Sequence, residues 1–159
     1  MIRLIEENLV RQNKAMLLMF FLLEEEFSRL TQLKPQSVSQ VELSIQELMR
    51  QVAAERVSLR RLVARVEPSA KRVRELMPVI SEEEGAALTE LLARLDGTEQ
   101  RCGVQAAKNQ QMAMALFDQS KGLLNFMHNQ IKPKSTTAYA RTGRFAKGIN
   151  DARLLSGRL

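Results

Sequence analysis

The sequence predicts an all-α protein: an antiparallel bundle of three long helices with coiled-coil-like packing, a short connector helix and a C-terminal tail. Three observations predict it. The composition is 45% hydrophobic but only 4% aromatic, which supplies aliphatic side chains and methionine for helix-on-helix packing with few large rings. Four prolines, Pro35, Pro68, Pro78 and Pro133, cut the chain into segments, because proline lacks the amide hydrogen that a helix interior needs. Within the long segments apolar residues recur at spacings of three, four and seven, the period that gathers side chains on one helix face. At 159 residues the chain has the size of one domain, read as a bundle over 1–131 and a flexible basic tail over 132–159.

The first helix is expected from near the N-terminus to about Thr31. Ile2, Leu9, Met16, Leu23 and Leu30 are seven apart, and Ile5, Phe20 and Phe27 fill intermediate positions. The run Ala15 to Leu23 is nine apolar residues. Acids precede it at Glu6 and Glu7 and come directly after it at Glu24 to Glu26, where a signal peptide would have a small-residue cleavage site. It also falls far short of the roughly 20 apolar residues that span a bilayer. It reads as buried helix.

In the second helix Val38, Ile45, Val52, Leu59 and Val66 recur every seven residues, with Val41, Leu48 and Leu62 three positions after and one break at Glu55. Ser37 with Gln40, or Ser39 with Glu42, offers a capping box at its start. Between Pro68 and Pro78, residues Ser69 to Leu76 suit a two-turn connector with Lys71, Arg72, Arg74 and Glu75 facing solvent.

The third helix opens on a Ser81–Glu84 capping box with Glu82 and Glu83 in the first turn, where the helix dipole favours acids. It should run to about Ile131. Its seven-residue series is Leu88, Leu95, Cys102, Asn109, Leu116, Leu123 and Gln130. Asp96, Gly97 and Gly103 lower its propensity, by about 1 kcal/mol per glycine relative to alanine, and a bend or looser stretch is expected there.

The net charge of +6 has a definite address. Seven of the 24 bases and one of the 18 acids lie from Lys132 onward, leaving 17 of each in the first 131 residues. The bundle is therefore neutral and the excess sits in the tail. Within that tail Phe145, Ile149, Ala152 and Leu155 fall at helical spacing, a short amphipathic helix suited to folding against a partner.

Catalysis requires convergent ionisable groups, and few are available. Cys102 is the only cysteine and His128 the only histidine. Cys102 occupies a seam position, where free cysteine acts as a small hydrophobe, and it cannot form an internal disulfide, so a reducing cytoplasm is expected. His128 has no second His or Cys to complete a zinc site and reads as a surface or groove residue. The acidic runs are contiguous, so their members fan around a helix without converging, and no phosphate loop of the GxxxxGK[ST] type is present. The chain is read as a binding protein without cofactor or enzymatic activity.

The last part of the third helix carries more apolar surface than one bundle stripe needs. Phe117, Leu124 and Ile131 form a second seven-spaced row beside the Leu116 and Leu123 seam, with Met112, Met114, Phe126 and Met127 nearby. For the seam residues a core position is expected. For the second row two readings stand side by side, a wide core stripe or an uncovered groove, completed by the tail, for an amphipathic helix of another protein.

The C-terminal order is distinctive: Asn109, then Leu123 and Leu124, then a Lys- and Ser/Thr-rich break, then Ser135 to Gly143 with Tyr139 four residues before Gly143. This resembles the FlgN family of flagellar export chaperones, whose chains end in a Thr-Tyr-x-x-x-Gly pattern. The chain departs from that pattern at Ala140, where the family often has an acid, and in its long basic extension.

The resemblance implies a cytoplasmic chaperone. It would bind the helical C-terminal segments of hook-filament junction (hook-associated) proteins, prevent early assembly, and deliver them to the flagellar type III export gate. Asn109, Met112, Phe117, Leu124, Met127, Ile131, Tyr139, Phe145 and Ile149 are the candidate partner-binding residues, with Tyr139 serving gate docking or cargo contact. A monomer or weak dimer without nucleic acid or stable membrane insertion is expected. The alternatives are a coiled-coil adaptor that self-associates through its seams and a basic-tailed nucleic-acid or membrane-surface binder.

Overall fold

The computed structural model describes residues 1–131; the expected tail over 132–159, with its amphipathic patch, lies outside them. The described residues form α1 (Ile2–Thr31), α2 (Pro35–Val66), a 3-10 turn at Val73–Leu76 and α3 (Glu82–Ile131). The chain divides into two compact units, Met1–Ala113 and Met114–Leu159.

In the first unit hydrogen bonds between helices give the topology. Asn8 and Arg11 meet Glu55, and Arg29 donates to the Ser37 carbonyl, so α1 and α2 are antiparallel. Asn13 donates to the Leu91 carbonyl, Cys102 to that of Met16 and Asn109 to that of Leu23, so α3 runs parallel to α1. The order is up, down, up, as three helices with short connections require.

The α1–α2 connection is a tight C-terminal cap. The Lys34 amide donates to the Arg29 carbonyl (3.4 Å) and the Leu33 amide to that of Leu30 (3.1 Å), the paired bonds of a Schellman motif. Leu33 holds the left-handed position at φ 57°, which favours glycine. Its side chain is 68% exposed and contributes little packing. Leu33→Gly should therefore raise the unfolding free energy by about 0.5–1 kcal/mol after allowance for glycine's larger unfolded-state entropy. A urea midpoint shifted upward with an unchanged slope checks it.

Helix α2 begins earlier than the expected capping boxes, with Pro35 in its first turn and Lys34 at the N-cap. Proline suits that position because its missing amide hydrogen has no intrahelical partner there. The serines consequently lie inside the helix, and their hydroxyls donate back to the carbonyls of Lys34 (2.9 Å) and Pro35 (3.3 Å). The capping box of α3 forms as expected: the Glu84 amide donates to Ser81 Oγ, and the Ser81 amide and hydroxyl donate to the Glu84 carboxylate. Helix α3 continues through Gly97 and Gly103 as one helix; buried Leu95 and Cys102 hold that stretch against its neighbours.

The connector differs from two helical turns. The Glu67 carboxylate accepts the amide and hydroxyl of Ser69, and the Glu75 carboxylate accepts the Lys71 amide. Such local bonds compete with helix formation, leaving one 3-10 turn. The Ser69 bonds also hold the Glu67 carboxyl below its ordinary pKa. Ala70, Val73 and Leu76 are buried in the same core as Ile5, Leu9, Leu88 and Leu95, so the connector is part of the core.

Glu55, the one break in the α2 heptad, is the hub of a polar layer. Its carboxylate accepts bonds from Asn8 (2.5 Å) and from Arg11 (2.9 and 3.1 Å), and Asn8 in turn accepts one from Gln12 (2.6 Å). The glutamate side of this pair holds the Arg11 pKa above its usual value, chiefly through the hydrogen bond. Asn8 and Gln12 are fully buried at 0% and 1% exposure. A polar group placed there is satisfied only when α1 and α2 meet in this register, because a slipped pairing leaves it without partners.

Candidate protein-binding surface

The seven-residue series of α3 changes character along its length. Leu88, Leu95, Cys102 and Asn109 are buried. Cys102 lies against the Met16 carbonyl, with its thiol hydrogen bonded there at 3.4 Å. Burial pushes that thiol pKa up, which keeps it protonated and unreactive at neutral pH. Iodoacetamide should accordingly modify Cys102 slowly in the native protein and at an ordinary rate in denaturant; fast labelling of the native chain would contradict this packing. As pH rises from the ordinary cysteine range the unfolded chain ionises first, so the stability contributed by the neutral buried thiol begins to fall there and is lost as pH rises through the raised pKa of the folded thiol.

Asn109 ends the buried series. Its amide donates to the Leu23 carbonyl (2.8 Å) and the Glu26 carboxylate (2.6 Å) and accepts from Gln105 (2.9 Å). At 4% exposure it ties α3 to α1, and in this conformation its side chain has no surface to offer a partner.

In the second unit, most apolar residues of α3 from Met114 to Ile131 are exposed. Phe117 is 68% exposed, Leu123 and Leu124 60% each, Ile131 52% and Met127 48%. Leu116 and His128 are half-buried. At 3.6 residues per turn the Phe117, Leu124 and Ile131 row adjoins the Leu116, Leu123 and Met127 row, so together they make one continuous stripe. Asp118, Lys121 and Asn125 occupy other faces of the same helix. The expected core position therefore fails for Leu123, which is exposed. The second row is uncovered as well. Met112, in the first unit, is half-buried. Tyr139, Phe145 and Ile149 lie outside the described residues.

A second exposed apolar surface is one that the sequence pattern does not reveal. The run Ala15 to Leu23 is not wholly buried: Leu17, Leu18 and Phe21 are 43%, 51% and 56% exposed. A helix in a three-helix bundle turns only part of its circumference to its neighbours, so a run that is apolar all round must leave some members outside. Phe20, on the flank, is covered by the Arg101 guanidinium at 4.1 Å from its ring centre.

Among the described residues no helix is long and apolar enough to cross a membrane, and no three His, Cys, Asp or Glu side chains cluster to hold a metal ion. The described residues thus present two exposed apolar helix faces, one on α3 and one on α1. No curated protein and no solved structure matches the chain. The model of the FlgN protein family matches residues 1–146, which takes in all three helices and the segment Ser135 to Gly143. The chain belongs to the FlgN family of flagellar export chaperones.

Proposed function

We propose that this protein is a cytoplasmic chaperone that binds the helical C-terminal segments of hook-filament junction proteins, prevents their premature assembly and delivers them to the type III export gate. The exposed stripe on α3 from Phe117 to Ile131 carries this reading. An unassembled amphipathic segment exposes an apolar face prone to aggregation, and a complementary helix face covers it. Met127 lends such a surface adaptability, since methionine repacks around differently shaped guests. Tyr139, Phe145 and Ile149 complete the site from the tail, with Tyr139 at cargo or gate. The work is binding alone and calls for no cofactor.

The self-associating adaptor is disfavoured because Leu88, Leu95 and Cys102 of the α3 seam are already used inside the bundle. The test is capture of purified junction proteins by the full chain and by a chain ending at Ile131. A defined low-copy complex is expected, lost when the junction protein's terminal helix is deleted. Capture that persists without that helix would overturn the reading, and so would a complex that dissolves with salt as a phosphate binder's would.

A further inference from the structure

The neutral total of the bundle conceals a local excess. Between Arg56 and Arg74 the chain places seven bases against one acid, Glu67. The end of α2, the connector and α3 enclose an open groove of about 1040 Å³, and Arg56, Arg60, Lys71, Arg72 and Arg74 stand on it. Two of these cations are answered within the chain, Arg56 by Glu99 (2.5 Å) and Arg74 by Asp96 (2.8 Å). Among the described residues, Arg60, Arg72 and the Lys71 ammonium have no ion-pair partner. The groove's floor is apolar, with half-buried Leu59 and Leu92 beside buried Val63 and Val73.

We propose that this groove docks an acidic amphipathic helix of another protein, in a binding event separate from that of the α3 stripe. The apolar face of such a helix would seat on the half-buried Leu59 and Leu92 while its carboxylates meet Arg60, Lys71 and Arg72. Charge decides against the chain's own tail as occupant, since from Lys132 onward it has seven bases and one acid and is repelled by a basic rim. Nucleic acid is the poorer fit: no aromatic residue lines the groove, so bases would find no stacking partner. The apolar floor would go unused.

The experiment is fluorescence anisotropy of the full chain with a labelled synthetic helix bearing leucine on one face and glutamate on the others. A lysine-for-glutamate counterpart and an oligothymidylate serve as the other probes. The glutamate helix should bind and the lysine helix should not. Arg60→Glu, Lys71→Glu and Arg72→Glu together should weaken binding about tenfold, as three exposed ion pairs predict. Arg60→Lys with Arg72→Lys, which keeps the charge, should preserve most of it, and so should Phe117→Asp with Leu124→Asp. The proposal is overturned if the charge-reversed chain, folded by circular dichroism, binds like the parent. Binding lost with the α3 variant instead, or an oligothymidylate that displaces the peptide and shares its dependence on the groove cations, overturns it equally.

Discussion

Leu76→Ala lowers the unfolding free energy by about 2–5 kcal/mol, the range for emptying a fully buried leucine site. Leu76 sits in a four-residue 3-10 turn that looks like a surface linker, yet its exposure is 0%. It shares a core with Ile5, Leu9 and Leu88, also at 0%. Those neighbours belong to two long helices whose positions other contacts fix, so the vacated volume has little means of collapsing. Arg74→Ala, two residues away, removes an ion pair to Asp96 whose side chains are 71% and 60% exposed, and should cost no more than about 0.5 kcal/mol. Thermal melts separate the two, with a drop of about 10 °C or more expected for Leu76→Ala. A melt within experimental scatter of the parent would show that the connector is a passive link.

Local signals are the ones legible in the sequence. The ends of α1 and the start of α3 are legible because proline breaks and the Ser81–Glu84 capping box act within one turn. The start of α2 is ambiguous because Pro35 admits two local readings: it can stop the helix before it or occupy the first turn of the next one. Only the Leu33 cap conformation selects the second. Glu55 is visible as a break in a heptad, but its partners Asn8 and Arg11 are more than forty positions away, and no local pattern joins them.

The exposure of Leu17 and Phe21 is hidden for a related reason. Periodicity identifies a stripe when the other faces are polar, and in a run of nine apolar residues it gives no phase. Asn109 shows the reverse case. Its place in the family pattern makes it a candidate partner contact, and no local pattern shows that the Leu23 carbonyl and Glu26 satisfy its amide within the bundle. The basic groove is obscured by totals, since 17 bases balance 17 acids over 131 residues even where Arg56 to Arg74 do not balance.

Phe117→Asp with Leu124→Asp should abolish capture of a junction protein's terminal helix while leaving the helical content and melting of the chain unchanged. Both side chains are at least 60% exposed, so the folded state loses little when they become polar. A docked helix would bury them, and each is worth about 1.5–3 kcal/mol on full burial. Losing both, and placing two carboxylates against an apolar face, weakens binding by at least about 100-fold. Asn109→Ala supplies the contrast. It removes the bonds that tie α3 to the Leu23 carbonyl and the Glu26 carboxylate of α1 and should cost the bundle about 1–3 kcal/mol, with binding reduced only as far as folding is. Isothermal titration with a junction protein, beside a denaturant curve for each variant, distinguishes the two effects. If the double aspartate chain bound like the parent, the stripe would not be the cargo surface. If Asn109→Ala lost binding at full stability, the bond to Leu23 would have to open when cargo docks, and Asn109 would return to the binding site.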